Sequence, residues 1–123
     1  MEFLLAEGNK VVIRLLERIM VKLSLSYRVA RNGQEAVEAY KANPELCRCI
    51  LMGLAMPVVS GLEATKLIRE YEREKELRPA IIIGLKAGHF LDPLYPGFDF
   101  NVRRSMSLDQ LKNALSSRGI IPG

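Results

Sequence analysis

Strand-length apolar runs alternate along this chain with segments whose apolar residues recur every three or four positions, and no other feature narrows the fold as much. Phe3-Leu4-Leu5-Ala6, Tyr27 to Ala30, Cys49-Ile50-Leu51-Met52, Ala80 to Leu85 and Phe98 to Val102 read as strands. Short strands separated by amphipathic helices form a parallel sheet covered on both faces and joined by right-handed crossovers. The run from Cys49 to Met52 has no polar alternation, as expected of a central strand buried on both sides. The pattern predicts an α/β fold, a doubly wound (βα)5 domain over residues 1–123 with strand order 2-1-3-4-5. Such a sheet places its ligand site outside the carboxyl ends of the strands, here Glu7-Gly8, Gly53, Lys86 and Arg103-Arg104.

The helices announce themselves by their caps. Asn9 is a candidate N-cap for a helix that turns Val12, Leu15, Leu16, Ile19, Met20 and Leu23 inward and leaves Arg14, Glu17, Arg18 and Lys22 outside. Asn32-Gly33 followed by Glu35 opens a second helix to about Tyr40. Ser60-Gly61-Leu62-Glu63 opens a third, with Leu62, Leu67, Ile68 and Tyr71 facing inward and the sign-alternating tail from Arg69 to Arg78 forming a solvated face. Ser107-Leu108-Asp109-Gln110 opens the last, with Leu108, Leu111 and Leu115 as its apolar stripe. Pro93 and Pro96 make the helix between the last two strands short or irregular.

Composition removes several function classes. The 18 Lys and Arg are spread along a chain of net charge +4 without a basic tract, which argues against dedicated nucleic-acid binding. No apolar run is long enough for membrane insertion, and the first residues lack a signal-peptide pattern. Cys47 and Cys49, with the lone His89 far away, are too few ligands for a structural zinc site. Two buried thiols in a reducing cytoplasmic or nuclear compartment are expected. No G-x-G-x-x-G or Walker pattern follows the first strand, so no nucleotide and no other cofactor is expected. The three Asp residues are Asp92, Asp99 and Asp109, and all lie in the last third of the chain.

At the strand ends the sequence resembles the receiver domain of response regulators and hybrid histidine kinases in two-component phosphorelays. The likeness is carried by Leu4-Leu5-Ala6-Glu7-Gly8-Asn9, by Asn32-Gly33-Gln34-Glu35-Ala36 and most specifically by the segment from Leu51 to Thr65, with its Met56-Pro57 and helix-opening Gly61. The resemblance implies a flavodoxin-like fold and a phosphorylation pocket at the strand ends. It also locates what has changed. Of the family's acidic pair, Glu7 remains and the second position is Gly8; the phosphoacceptor aspartate falls at Gly53. The hydroxyl residue falls at Lys86, the lysine at Arg104 and the switch aromatic at Asn101.

Phosphoryl transfer to a side chain requires a carboxylate nucleophile, a divalent cation and a positive group to stabilise the product. With glycine at 53 and two cations beside one glutamate, the implied pocket has changed sign, and Mg²⁺ meets no ligand set. Glu7 is then expected to pair with Lys86 or Arg104. The expected role is a phosphorylation-independent protein-binding module rather than an enzyme. The alternative is a phosphoaccepting receiver whose aspartates at 8 and 53 were lost recently or by engineering.

The partner that the resemblance implies is a helical histidine phosphotransfer protein or a histidine kinase domain, docked on the first helix at Val11, Ile13, Arg14 and Val21. Their apolar surplus also fits packing under neighbouring loops or weak self-association.

Overall fold

The computed structural model describes residues 1–87 and 94–122. Its elements run β1 (Glu2–Ala6), α1 (Lys10–Lys22), β2 (Tyr27–Ala30), α2 (Gly33–Ala42), β3 (Cys47–Gly53), α3 (Gly61–Glu74), β4 (Ile81–Lys86), β5 (Phe100–Arg103) and α4 (Leu108–Ser117). All strand pairs are parallel, in the order β2-β1-β3-β4-β5. This is the doubly wound sheet expected from the alternation, with its switch point between β1 and β3.

Alternate residues of the central strands supply two separate cores. Phe3, Leu5, Cys49, Leu51, Ile83 and Leu85 point to the layer formed by α1 and α4, where Leu16, Met20, Leu111 and Leu115 meet them. Leu4, Ala6, Ile50, Met52 and Ile82 point the other way, against Ala36, Val37 and Tyr40 of α2 and Ala64 and Ile68 of α3. Two-sided burial is why β1, β3 and β4 read as unbroken apolar runs. The helix starts are as their caps predict: Asn9, Asn32, Ser60 and Ser107 each accept from backbone N–H groups, and Ser107 with Gln110 closes a full capping box.

The structure corrects several sequence readings. Ile13 is buried, not displayed for a partner, because the inward arc of α1 is centred on Leu16 and Met20, and Ile13 lies one turn before them. Val12 and Leu15 drift to the half-buried rim. Leu62 is 41% exposed, since the buried stripe of α3 runs through Gly61, Ala64, Thr65, Ile68 and Glu72. β5 begins at Phe100 rather than Phe98. The expectation of a short or irregular helix concerns mainly 88–93, which lie outside the described residues, as do His89 and Asp92.

The tail of α3 holds more than a solvated face. Glu72 is 2% exposed, and its carboxylate accepts from Tyr40 Oη (2.7 Å), the Ala80 N–H (2.7 Å) and Arg69 Nη1 (2.8 Å). Arg69 also donates to the Gly97 and Ala80 carbonyls and to Asp99, whose carboxylate takes the Ile82 N–H at 2.8 Å. The cluster joins α2, α3 and the entries of β4 and β5. At the start of β3 the register with β1 shifts, Glu2 facing Cys47 but Phe3 facing Cys49. The extra residue, Arg48, donates to the carbonyls of Pro44, Arg78 and Pro79. The shift sends Cys47 and Cys49 into different cores, so the two sulfurs cannot share a metal.

Replacing Glu72 with Leu strands the Tyr40 hydroxyl and the Ala80 N–H in the interior, and should cost about 2–4 kcal/mol in urea unfolding. Burial pushes the Cys49 thiol up to about 12 and raises Cys47 as well. Because raised values disfavour the thiolate, the native protein at pH 8 should react with a thiol reagent far more slowly than the urea-unfolded chain does. Equal rates would contradict the burial.

Candidate functional site

Parallel pairing delivers the ends of β1, β3, β4 and β5 to one edge of the sheet. Glu7 follows β1 and is fixed by its N–H bonding to the Ala30 carbonyl, 3.0 Å. Arg104 follows β5 with its N–H on the Lys86 carbonyl at 2.9 Å. The two side chains meet across the end of β3. Arg104 Nε reaches Glu7 Oε1 and Nη2 reaches Oε2, both at 3.2 Å. The Asn9 N–H adds a third donor to Oε2 at 2.9 Å, while the Asn9 side chain caps α1. Glu7 is 1% exposed, so this carboxylate is buried, paired and three times hydrogen-bonded. Of the two cations expected to compete for it, Arg104 takes it.

Gly53 lies directly beneath the pair. A Cβ built there would stand 2.9 Å from Glu7 Oε1 and 3.2 Å from the Ala6 carbonyl oxygen. Gly8 is adjacent in sequence but faces elsewhere, with Pro57 Cδ at 3.3 Å and the Arg31 carbonyl oxygen at 3.4 Å from its would-be Cβ. Lys86 is buried at the end of β4, its Nζ 5.6 Å from the Tyr95 ring centroid. Asn101 is opposite Gly84, and its Oδ1 fills the space that a side chain at Gly84 would need. The structure thus brings Glu7, Gly53 and Arg104 into one cluster. Asn101 packs on β4 two residues before Lys86, whose own register partner is Arg103.

Beside the cluster, a cleft of about 590 Å³ separates the start of α1 from the ends of β4 and β5. Val11, Val12 and Leu15 form its apolar wall, and Lys86, Arg103 and Arg104 its basic one. Sequence reasoning missed the Asn9 N–H, the Tyr95 ring and Arg118, whose guanidinium stacks 3.8 Å from the Phe100 ring centroid. Only Asn9 carried a signal, as the cap that fixes its own backbone beside Glu7. The donor set does not suit a divalent cation: among the described residues no three carboxylate, imidazole or thiol side chains converge, and the Glu7 oxygens are already committed.

Comparison with known proteins agrees with this architecture. The family model described as the response regulator receiver domain matches residues 3–90. The peroxide stress-activated histidine kinase mak1 of Schizosaccharomyces pombe is 31% identical over 118 residues, which are 92% of this chain and 7% of that kinase. The chain therefore spans a small fraction of the curated relatives it matches, 9% in the case of histidine kinase 5 of Arabidopsis thaliana. Among solved structures, the Saccharomyces cerevisiae complex of the histidine phosphotransfer signaling protein Ypd1 with the receiver domain of its downstream response regulator Ssk1 aligns with a TM-score of 0.87 and 30% identity, covering 97% of this chain and 88% of the other. Among the described residues no helix is long and apolar enough to cross a membrane. From the strand order, the strand-end cluster and the matched family model together, the chain belongs to the response regulator receiver domain family of two-component phosphorelays.

Proposed function

We propose that this receiver does not take up a phosphoryl group and acts instead by docking a helical histidine phosphotransfer protein. The carrying observation is the Glu7–Arg104 ion pair over Gly53. Where the family resemblance implies a nucleophilic carboxylate, position 53 offers no side chain. Glu7 is no substitute nucleophile. Its lone pairs are held by Arg104 and the Asn9 N–H, and attack on phosphorus would strip the guanidinium of its buried counter-charge. The docking half of the proposal draws on the similar yeast receiver, which was solved in complex with a phosphotransfer protein, and on the exposed side chains of α1, where Val11, Arg14 and Val21 face solvent.

One observation favours a second reading, a competent ancestor or parent with aspartates at 8 and 53. Neither glycine has a positive φ, and the nearest atoms to their would-be Cβ positions are Pro57 Cδ at 3.3 Å for Gly8 and, for Gly53, the Glu7 carboxylate at 2.9 Å and the Ala6 carbonyl oxygen at 3.2 Å. Ordinary backbone angles allow a larger residue at both sites, at 53 only if the Glu7–Arg104 pair rearranges and the Ala6 carbonyl gives by a few tenths of an ångström.

Both readings give the same result for the chain as it stands. Incubation with a small-molecule phosphodonor and Mg²⁺ should leave the intact mass unchanged, whereas Gly8→Asp/Gly53→Asp/Lys86→Thr should gain one labile phosphoryl group. Labelling of the unaltered chain that persists after Asp92, Asp99 and Asp109 are replaced would refute the proposal. Separately, Arg104→Met leaves the Glu7 carboxylate buried without its cation and should lower stability by about 1–3 kcal/mol, the lower end reflecting the partial exposure of Arg104. Glu7→Gln combined with Arg104→Met should recover part of that loss. A loss in the double variant equal to the sum of the two single losses would show that the pair contributes no coupling.

A further inference from the structure

The solvent face of α1 carries a row of four cations. Lys10, Arg14, Arg18 and Lys22 follow one another at four-residue intervals, and all four are exposed. Among the described residues none of them is in an ion pair. The nearest acid in sequence, Glu17, accepts the Tyr27 hydroxyl at 3.1 Å. This arrangement works against the helix itself. Each successive pair is a like-charge i,i+4 contact, and Lys10 sits in a first turn that has no acidic residue, where a positive charge opposes the helix dipole. A helix tuned for its own stability would interleave glutamates here.

Two further features lie within and beside the row. Val11 and Val21 are 75% and 67% exposed on the same arc of the helix. A cleft opens along each flank, one walled by Val11, Val12 and Leu15, the other of about 500 Å³ and lined by Lys10, Ile13, Arg14, Glu17 and Arg31, three cations against one carboxylate. At 1.5 Å per residue, the row from Lys10 to Lys22 is about 18 Å long, with a positive charge every ~6 Å.

We infer that α1 docks an acidic helix of the partner, one that presents carboxylates at four-residue spacing to the Lys10–Lys22 row and an apolar side chain to the cleft beside Val11. This rests on the docking proposed above and adds the partner's charge to it. A bilayer of anionic lipid would meet the same charges, but a flat surface fills neither flanking cleft and leaves the exposed valines without a fitted contact. A protein helix satisfies both.

The test is titration calorimetry of the whole chain with purified Ypd1 in low and high salt, alongside sedimentation with vesicles containing phosphatidylserine. The expected result is binding to Ypd1 that weakens at least about tenfold between ~50 and ~500 mM NaCl, since exposed charges are screened over that range. Arg14→Glu/Arg18→Glu should weaken low-salt binding by about tenfold or more. Misfolding would not explain such a loss, because the two exchanges convert the repulsive i,i+4 contacts with Lys10 and Lys22 into attractive ones, and circular dichroism should show an unchanged helix. Binding that ignores both salt and charge reversal overturns this inference and leaves the docking proposal standing. No binding to Ypd1 at either salt overturns both. Vesicle binding without Ypd1 binding assigns the row to a membrane surface and overturns it as well.

Discussion

Parallel pairing is the constraint from which the rest of this molecule follows. Once Phe3–Ala6, Cys49–Gly53 and Ile81–Lys86 lie side by side in one direction, every strand must be re-entered from the same end, and each return path must be a crossover over one face of the sheet. Both faces are then covered, and the two ends become chemically different places. At the amino end, chain entries are gathered by the Glu72, Arg69 and Asp99 cluster, whose carboxylates take the N–H groups of Ala80 and Ile82. At the carboxyl end, side chains from sequence positions 7 and 104 are brought within hydrogen-bonding distance. One end is bound into the scaffold, and the other is where chemistry or recognition can be placed.

Much of this was legible in the sequence for a simple reason: burial on both faces erases the polar alternation of a strand, and caps write their chemistry in adjacent residues. The strand order, the four helix starts and the meeting of Glu7 with a cation at the strand ends all follow from such local signals and from the family resemblance. What could not be read depended on rotation or on distance. The register of the α1 stripe is set by how the helix settles on the sheet, so Ile13 and Val12 exchanged places. Glu72 looked like one charge in an alternating run, although it continues the buried stripe through Ala64, Thr65 and Ile68. Its partners at Tyr40 and Ala80 come from outside α3, and no spacing rule connects them. The choice of Arg104 likewise joins positions 97 residues apart, which no local signal connects.

The charges at the carboxyl edge and those on α1 point to the same kind of molecule. Glu7 and Arg104 form an internal ion pair, so no ligand needs to arrive for that site to be electrically settled. The neighbouring helix, by contrast, is left electrically unsettled, with cations that repel along its length and valines facing water. A settled strand-end pair beside a helix that exposes its cations and valines accords with the docking role proposed above.

The glycines of the strand-end region divide along the same line. A side chain at Gly33 would overlap the Val59 carbonyl, and one at Gly61 would overlap the carbonyl of Gly53 itself, so α2 and α3 are seated backbone against backbone on the loop that follows β3. Those two positions are closed by geometry whatever the domain does. Positions 8 and 53 have ordinary backbone angles, and the nearest obstacle at each is a side chain, Pro57 Cδ at one and the Glu7 carboxylate at the other. The outline of the strand-end pocket is thus drawn largely in main chain at 33 and 61, and it holds whichever residues stand at 8 and 53.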